Sequence, residues 1–481
     1  MGGTSGPFAH EQRLTGFTVR PAYLLAEEAG MASLMVSDEL VAGFNGVLVG
    51  PDDAAFDEVR AVHNGLIDRR PGLIARCHNV ADVRDAVMFG RAAGAEISVR
   101  GGGHNVAGRA VTDGGLMIDL SLMRSVDVDP GRRRARAQGG ATWNEYNRVT
   151  NAYGQATTGG VVSTTGVAGL TLGGGLGWLM GKYGMSIDNL RAVEIVTADG
   201  AVRIVDDEHE PDLFWALRGG GGNFGVAASL EFETHPLDTV LGGLLAHPLA
   251  AAGDVVGTYR DFALQMSDDA SVFCAFVHAP DGSGAKLCAI PLCHTGPIDQ
   301  AEAELRPLRE FGPPAMDLVA PMPYPEVNTM LDAGFPRGAL NYWRSAFFTE
   351  FSDAAVSALV DAYEAVPSPM TGIVIEHFHG AACRVAPTAT AFPHRDPGFN
   401  LVITGQWDNP ADTATNVQWV HDTIATLAPY TAQRTYMNYV AQDEADRIDA
   451  AYGPNVDRLR DVKRRYDPDN LFRLNLNIPP A

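Results

Sequence analysis

The chain has 481 residues, 46% hydrophobic and 20% charged, with a formal net charge of −22; it is too long for one comfortable core and too apolar for disorder, so two folded lobes are expected. The acidic balance disfavours a general nucleic-acid binder. No uncharged apolar stretch reaches the roughly 18 residues of a membrane span and no basic, then apolar, leader opens the chain, so the protein reads as cytoplasmic with no membrane partner.

Residues 1–37 carry Gly, Ser, Pro and Thr early, lack an amphipathic period and read as a weakly ordered leader. Ser37-Asp38-Glu39 signals a helix start, and Pro51-Asp52-Asp53 opens a second surface helix with Phe56, Val59 and Val62 at helical spacing. Residues 73–77 predict a strand, Asn79 caps a helix ending at Gly94, and residues 96–100 predict the next strand, one β-α-β unit. Strands follow at 116–119, 125–129 and 134–137, then a helix at 142–154. Residues 190–197 and 202–205 bracket Ala198-Asp199-Gly200 as a hairpin, 212–217 form a short helix, and 226–232 read as an alternating strand closing a lobe at 38–238. A lobe of sheet and helices is expected at 239–430, with strands at 271–278 and 286–292 and helices at 298–310 and 354–365. Residues 431–481, with a helix at 454–465 and an extended tail, return to the first lobe. The fold class is α+β. Cys77, Cys274, Cys288, Cys293 and Cys383 lack CxxC spacing, which encodes neither a disulfide framework nor a metal site.

Glycine carries the first functional signal: 20 of 53 glycines fall between residues 100 and 184, where an even spread gives about nine. In Arg100-Gly101-Gly102-Gly103-His104-Asn105, three glycines after a strand leave successive amides free to form a nest for phosphate oxygens, with His104 projecting from it. The loop fits neither G-x-G-x-x-G nor a P-loop, and a plain glycine turn with a solvent-facing histidine is the alternative. A second run joins Thr164, Gly166, Gly169, Gly173, Gly174, Gly175 and Gly177, and a third spans Gly219 to Gly225. Three such loops in one lobe point to an extended, dinucleotide-sized ligand.

These loops, with Gly108, Asp113 to Leu116, Lys182-Tyr183-Gly184, Asp188-Asn189 and Gly221 to Gly225-Val226, resemble the FAD-binding domain of the vanillyl-alcohol oxidase superfamily. Tyr436-Met437-Asn438-Tyr439 and Tyr466 to Arg473 narrow the resemblance to the berberine-bridge-enzyme-like oxidases, over residues 38–478. It implies a two-lobed FAD-binding fold with an inserted substrate domain. It also implies a covalent bond from His104 to the flavin 8α-methyl group. Many members add a cysteinyl link. This chain has valine at the matching place in Val161-Val162-Ser163-Thr164, so a single link is expected, as in the bacterial hydroxynicotine-oxidase-like branch. Cofactor contacts extend by the same resemblance to Tyr436, Asn438, Asn475 and Asn477.

The implied chemistry is hydride transfer from an alcohol or amine C–H of a small-molecule substrate, with dioxygen reoxidising the flavin to give hydrogen peroxide. The resemblance maps the base to Tyr439, a role that requires a cation or hydrogen bond near its phenolate; packing is the alternative for Tyr436 and Tyr439. The strand 399–407 presents Asn400, Val402, Thr404 and Gln406 on one face. Asn400 stands where several relatives carry glutamate, which leaves Tyr439 preferred; Gln406 either contacts substrate or bonds within the sheet. Glu376, or His377 and His379 on one strand face, are further candidates near the flavin, with a weak metal reading for the histidines. A dehydrogenase or oxidative cyclase, and a non-catalytic flavin-binding protein, are the competing readings.

Overall fold

The computed structural model describes residues 43–312 and 314–481, so the expected leader and the helix start at Ser37 lie outside the described residues. The described residues cluster as one compact unit. The first sheet orders Val47–Val49, Leu73–Arg76, Leu116–Asp119 and Ile97–Arg100, with the last three strands parallel. The helix Val80–Ala92 makes the crossover. Asn79 caps it by accepting from the N–H groups of Ala81 and Asp82, and Gly94 beyond its end takes φ +63°.

The second sheet is antiparallel: Val126–Asp129, Arg134–Gln138, Val226–Glu233, Leu190–Val196, Val202–Val205. Val226–Glu233 departs from the expected alternation because it is central and buried on both faces. A register shift between Ala227 and Ser229 changes its parity. Val226 and Ala228 thus enter one core with Leu73, Val87 and Ile118, whereas Ala227, Leu230 and Phe232 enter another with Trp143, Phe214 and Leu459. The helix Trp143–Asn151 opens with a capping box between Thr142 and Glu145. Phe56 and Val59 of the Phe56–Arg60 helix are buried, so that segment is an amphipathic cover.

Nine strands form the third sheet, whose centre runs Lys286–His294, Ala270–His278, Gly372–Phe378, Gly398–Trp407, Leu340–Phe348, all antiparallel. The helices Ala252–Ala263, Ile298–Glu310, Asp353–Glu364 and Thr413–Leu427 pack on it through Val256, Tyr259, Leu305, Leu359 and Val420. Cys274 and Cys288 face each other within that core, Sγ to Sγ 3.7 Å, as packing thiols. The helix Val456–Tyr466 buries Leu459 and Val462 against the first part of the chain. No helix among the described residues is long and apolar enough to cross a membrane.

Polar ties close the seam between the third sheet and the rest. Asn64 donates to the carbonyls of Val106 and Asn341, Asp332 accepts from both the N–H and the hydroxyl of Ser163, and Asn328 donates to the Gly160 carbonyl. Buried hydrogen bonds of this kind hold the two expected lobes as one body.

Candidate active site

A cavity of about 680 Å³ opens along this seam, within the range of small-molecule and cofactor sites. One end is walled by Gly101, Gly102, Gly103, His104 and Asn105, which leave the Ile97–Arg100 strand, and by Gly166, Gly169, Gly222 and Gly225. Among the described residues none accepts a hydrogen bond from the N–H groups of Gly102, Gly103 or His104. Unpaired successive amides form an anion-binding concavity. Arg109 adds the one cationic Lys or Arg side chain on the cavity wall, and its guanidinium has no hydrogen-bond or ion-pair partner among the described residues. A Cβ built on Gly169 meets nothing within 4 Å, so this bare helical position keeps cavity space open. Ile97, Val99, Leu120, Leu170 and Leu172 supply apolar walls. Donors, one cation and a long apolar slot fit a dinucleotide flavin.

His104 projects into the cavity with Nε2 3.0 Å from Thr164 Oγ1. Burial, and next the nearby His63, push its imidazole down to about 3, so it is neutral at physiological pH.

The other end lies against the third sheet. Glu376 sits on Gly372–Phe378, opposite Asn400 on one neighbouring strand and Phe273 on the other. It is 2% exposed. Asn400 Nδ2 donates to Oε2 at 2.7 Å and the Tyr439 hydroxyl donates to Oε1 at 2.9 Å. Burial raises this carboxyl to about 7, against the opposing pull of those two bonds. Phe273, Phe335, Trp343, Val374 and Val402 share the cavity wall with it.

That arrangement does not supply the cation that a base role for Tyr439 would require. The phenol faces a carboxylate rather than a cation; burial first, then the charge of Glu376, hold it well above its usual range. Arg434 pairs with Asp396 instead. Tyr439 is thus a hydrogen-bond donor to Glu376. Asn400 lies behind Glu376 rather than on the cavity wall, and Gln406 both lines the cavity and bonds within the sheet region, through Asn341 and Thr371. His377 and His379 stack on each other away from the cavity, His379 beside the Ala270 carbonyl, so neither stands at the site.

Several expected cofactor residues stand off the cavity wall. Gly173, Gly174, Gly175 and Gly177 do not line the cavity. A Cβ at Gly173 would overlap Asn438 Oδ1, at Gly174 it would press on Tyr436, at Gly175 on Ser186, and at Gly177 on the Gly159 carbonyl. The run is the seat of the Tyr436–Tyr439 turn. The Tyr436 hydroxyl accepts from the Gly175 N–H and from Asn438 Nδ2, so Tyr436 is a buried strut, while Asn438 reaches the cavity wall. Arg100 is committed to Asp119 and the Val59 carbonyl. Gly108 packs on Ile67 at φ +70°, Thr164 acts through His104, and Val226 is core. Asn475 lines the cavity and donates to the Gly222 carbonyl; Asn477 does not line it.

Asp188 and Asn189 are also structural. Asn189 donates to the carbonyls of Tyr183 and Met185, and Asp188 takes a two-pronged pair from Arg395, both contacts 2.8 Å. Arg395 is 1% and Asp188 10% exposed at the side chain. Arg395→Met is expected to strand the Asp188 charge and lower unfolding free energy by about 3–5 kcal/mol, as read from urea melts; an unchanged midpoint would mean the pair is not needed.

Arg109, Phe335 and Trp343 escape the motif reading. Arg109 had a signal, a cation five residues beyond His104 in the same glycine-rich loop; the two aromatics come from a strand and loop whose approach is set only by the sheet.

A family model described as "FAD binding domain" matches residues 71–206, and one described as "Berberine and berberine like" matches 435–479. The chain is 31% identical over 452 residues to (R)-6-hydroxynicotine oxidase of Paenarthrobacter nicotinovorans, covering 90% of this chain and 97% of that protein. An uncharacterized FAD-linked oxidoreductase of Bacillus subtilis is 31% identical over 446 residues, with the same coverage. The crystal structure of 6-hydroxy-D-nicotine oxidase from Arthrobacter nicotinovorans aligns at TM-score 0.85 and 30% identity, over 93% of this chain and all of that one. A chitooligosaccharide oxidase shares the fold at TM-score 0.80 and 23% identity, over 92% and 98%. With both family models falling on segments that contribute to the cavity wall, and relatives similar along nine-tenths of its length, the chain belongs to the berberine-bridge-enzyme-like family of FAD-linked oxidoreductases.

Proposed function

We propose that the protein is an oxidase for small, largely apolar alcohols or amines, carrying FAD on a single covalent link to His104 and passing electrons to dioxygen to give hydrogen peroxide. FAD, when bound, supplies the two-electron acceptor for a substrate hydride. The amides of Gly101 to His104, with Arg109, are the groups suited to its diphosphate, and the absence of a cysteine at Val161 and Val162 favours one link. The observation that carries the reading is Glu376, a buried carboxyl on the wall of an apolar cavity with a pKa raised to about 7.

A general base works best when its pKa lies near the working pH. In its ionised form Glu376 takes the proton of a substrate hydroxyl or ammonium; Tyr439 and Asn400 hold its two oxygens in place. Phe335, Trp343 and Val374 exclude water and offer few hydrogen bonds, which suits an apolar body with one polar group. The (R)-6-hydroxynicotine oxidase described above is named an oxidase, which supports dioxygen as acceptor. Mixing the holoenzyme anaerobically with a panel of cyclic amines and alcohols is expected to bleach the flavin absorbance with at least one of them. Air should then restore it with one hydrogen peroxide per substrate consumed. Bleaching without peroxide would favour a dehydrogenase, and no bleaching across the panel would favour a flavin-binding protein.

A further inference from the structure

No motif singles out His63. Its ring nevertheless lies against that of His104, with centroids 3.7 Å apart and planes inclined by 22°. His63 is 7% exposed, and its Nε2 has no hydrogen-bond partner among the described residues. A buried polar nitrogen left unpaired is a net cost to the fold. The part of the side chain in use is therefore its flat face.

His104 stands in a loop, where regular backbone does not fix its side chain. Two contacts do so. Thr164 Oγ1 holds Nε2 and limits rotation within the ring plane; His63 sets the plane itself. An imidazole lone pair points along that plane, so both restraints together decide where it reaches. His63 is itself anchored at both backbone ends: its N–H donates to the Gly103 carbonyl at 3.0 Å, and its carbonyl accepts from the Gly338 N–H at 2.9 Å. The neighbouring Asn64 is tied to Val106 and Asn341. Burial holds His63 near 4 and His104 near 3, so the stacked rings are both neutral at physiological pH and do not repel.

We infer that His63 is a positioning residue for flavin attachment, its ring face holding the His104 imidazole in the plane from which a nitrogen lone pair reaches the cavity. The inference rests on the covalent reading above. In the attachment step a C–N bond forms between the imidazole and the 8α carbon, and each partner gives up one hydrogen. The electron pair passes to the flavin ring system, from which dioxygen collects it with two protons as hydrogen peroxide.

His63→Phe keeps the flat face and removes the nitrogens; His63→Leu keeps bulk without a flat face. Full-length chains from riboflavin-starved cells are mixed with FAD in air. Total bound flavin is read by absorbance, and attached flavin by fluorescence of the denatured polypeptide over time. Total binding is expected to match wild type in both variants. Attachment should proceed within about threefold of wild type in His63→Phe and about tenfold slower in His63→Leu, the scale of effect that a small misplacement of a reacting group produces. Should the leucine variant not fold, His63→Met, also ringless, takes its place. Equal rates in all three chains would overturn the inference, as would equal slowing in both variants, which would assign the role to the imidazole nitrogens. Wild-type chain that never acquires attached flavin would overturn the covalent reading and this inference with it.

Discussion

Glu376→Gln is expected to slow anaerobic flavin reduction by about 10²- to 10⁴-fold, the contribution of a positioned general base. Glutamine has nearly the same shape and still accepts the Tyr439 hydroxyl, so the loss isolates proton acceptance from packing. The pH dependence follows from the raised pKa. Only the ionised carboxyl accepts a proton, and its fraction grows as pH rises through about 7. The wild-type reduction rate should therefore climb about tenfold per pH unit below that point and level off above it. Tyr439→Phe removes one of the bonds that hold the carboxyl down, so the same climb should move to higher pH. Stopped-flow absorbance across pH 5 to 9 measures all three chains; an unchanged rate in Glu376→Gln would remove this residue from the reaction.

The same group leaves a mark on stability. Its folded pKa lies above the ordinary carboxyl value of 4.5, so the favourable burial of the neutral form is fully present below about 4.5. That contribution is lost as pH rises through about 7. Glu376→Gln should flatten the corresponding slope in unfolding free energy, and urea melts at pH 4.5 and pH 8 read it directly.

His104→Ala is expected to abolish covalent attachment entirely while leaving FAD binding in place, because the amides and Arg109 remain. After acid precipitation all flavin should appear in the supernatant, whereas wild-type polypeptide stays yellow and fluoresces on a denaturing gel. The valines at 161 and 162 offer no second attachment point, and no cysteine lines the cavity among the described residues. Flavin that still migrates with the His104→Ala polypeptide would locate the link elsewhere. The loss of an electron-withdrawing substituent should also lower the flavin potential and slow substrate oxidation, separable from attachment by titration with a reducing dye.

Local chemistry was legible in the sequence wherever neighbours along the chain decide the outcome. Asn79 caps its helix because its own amide reaches two N–H groups within three residues, and Thr142 with Glu145 closes a capping box on the same scale. The nest at Gly101 to His104 needs only consecutive amides after a strand, and strands such as 271–278 and 286–292 of the third sheet were legible as strand segments. The family was legible through the order of its motifs. What a motif touches was not. Gly173 to Gly177 read as ligand contacts, yet their bareness makes room for Tyr436 and Asn438 from the far end of the chain. Asp188 read as a cofactor residue until Arg395, 207 positions away, claimed its carboxylate. The surroundings of Glu376 arose in the same way, when sheet register set Asn400 opposite it and brought the Tyr439 hydroxyl onto the same carboxyl from 63 residues off. Periodicity records which face of an element is buried, whereas the partner a buried polar group finds depends on packing and register between elements; the sequence by itself therefore determined the elements, the family and the flavin loop, and only the tertiary structure decided that Tyr439 and Asn400 meet on Glu376 and that His63 lies on His104.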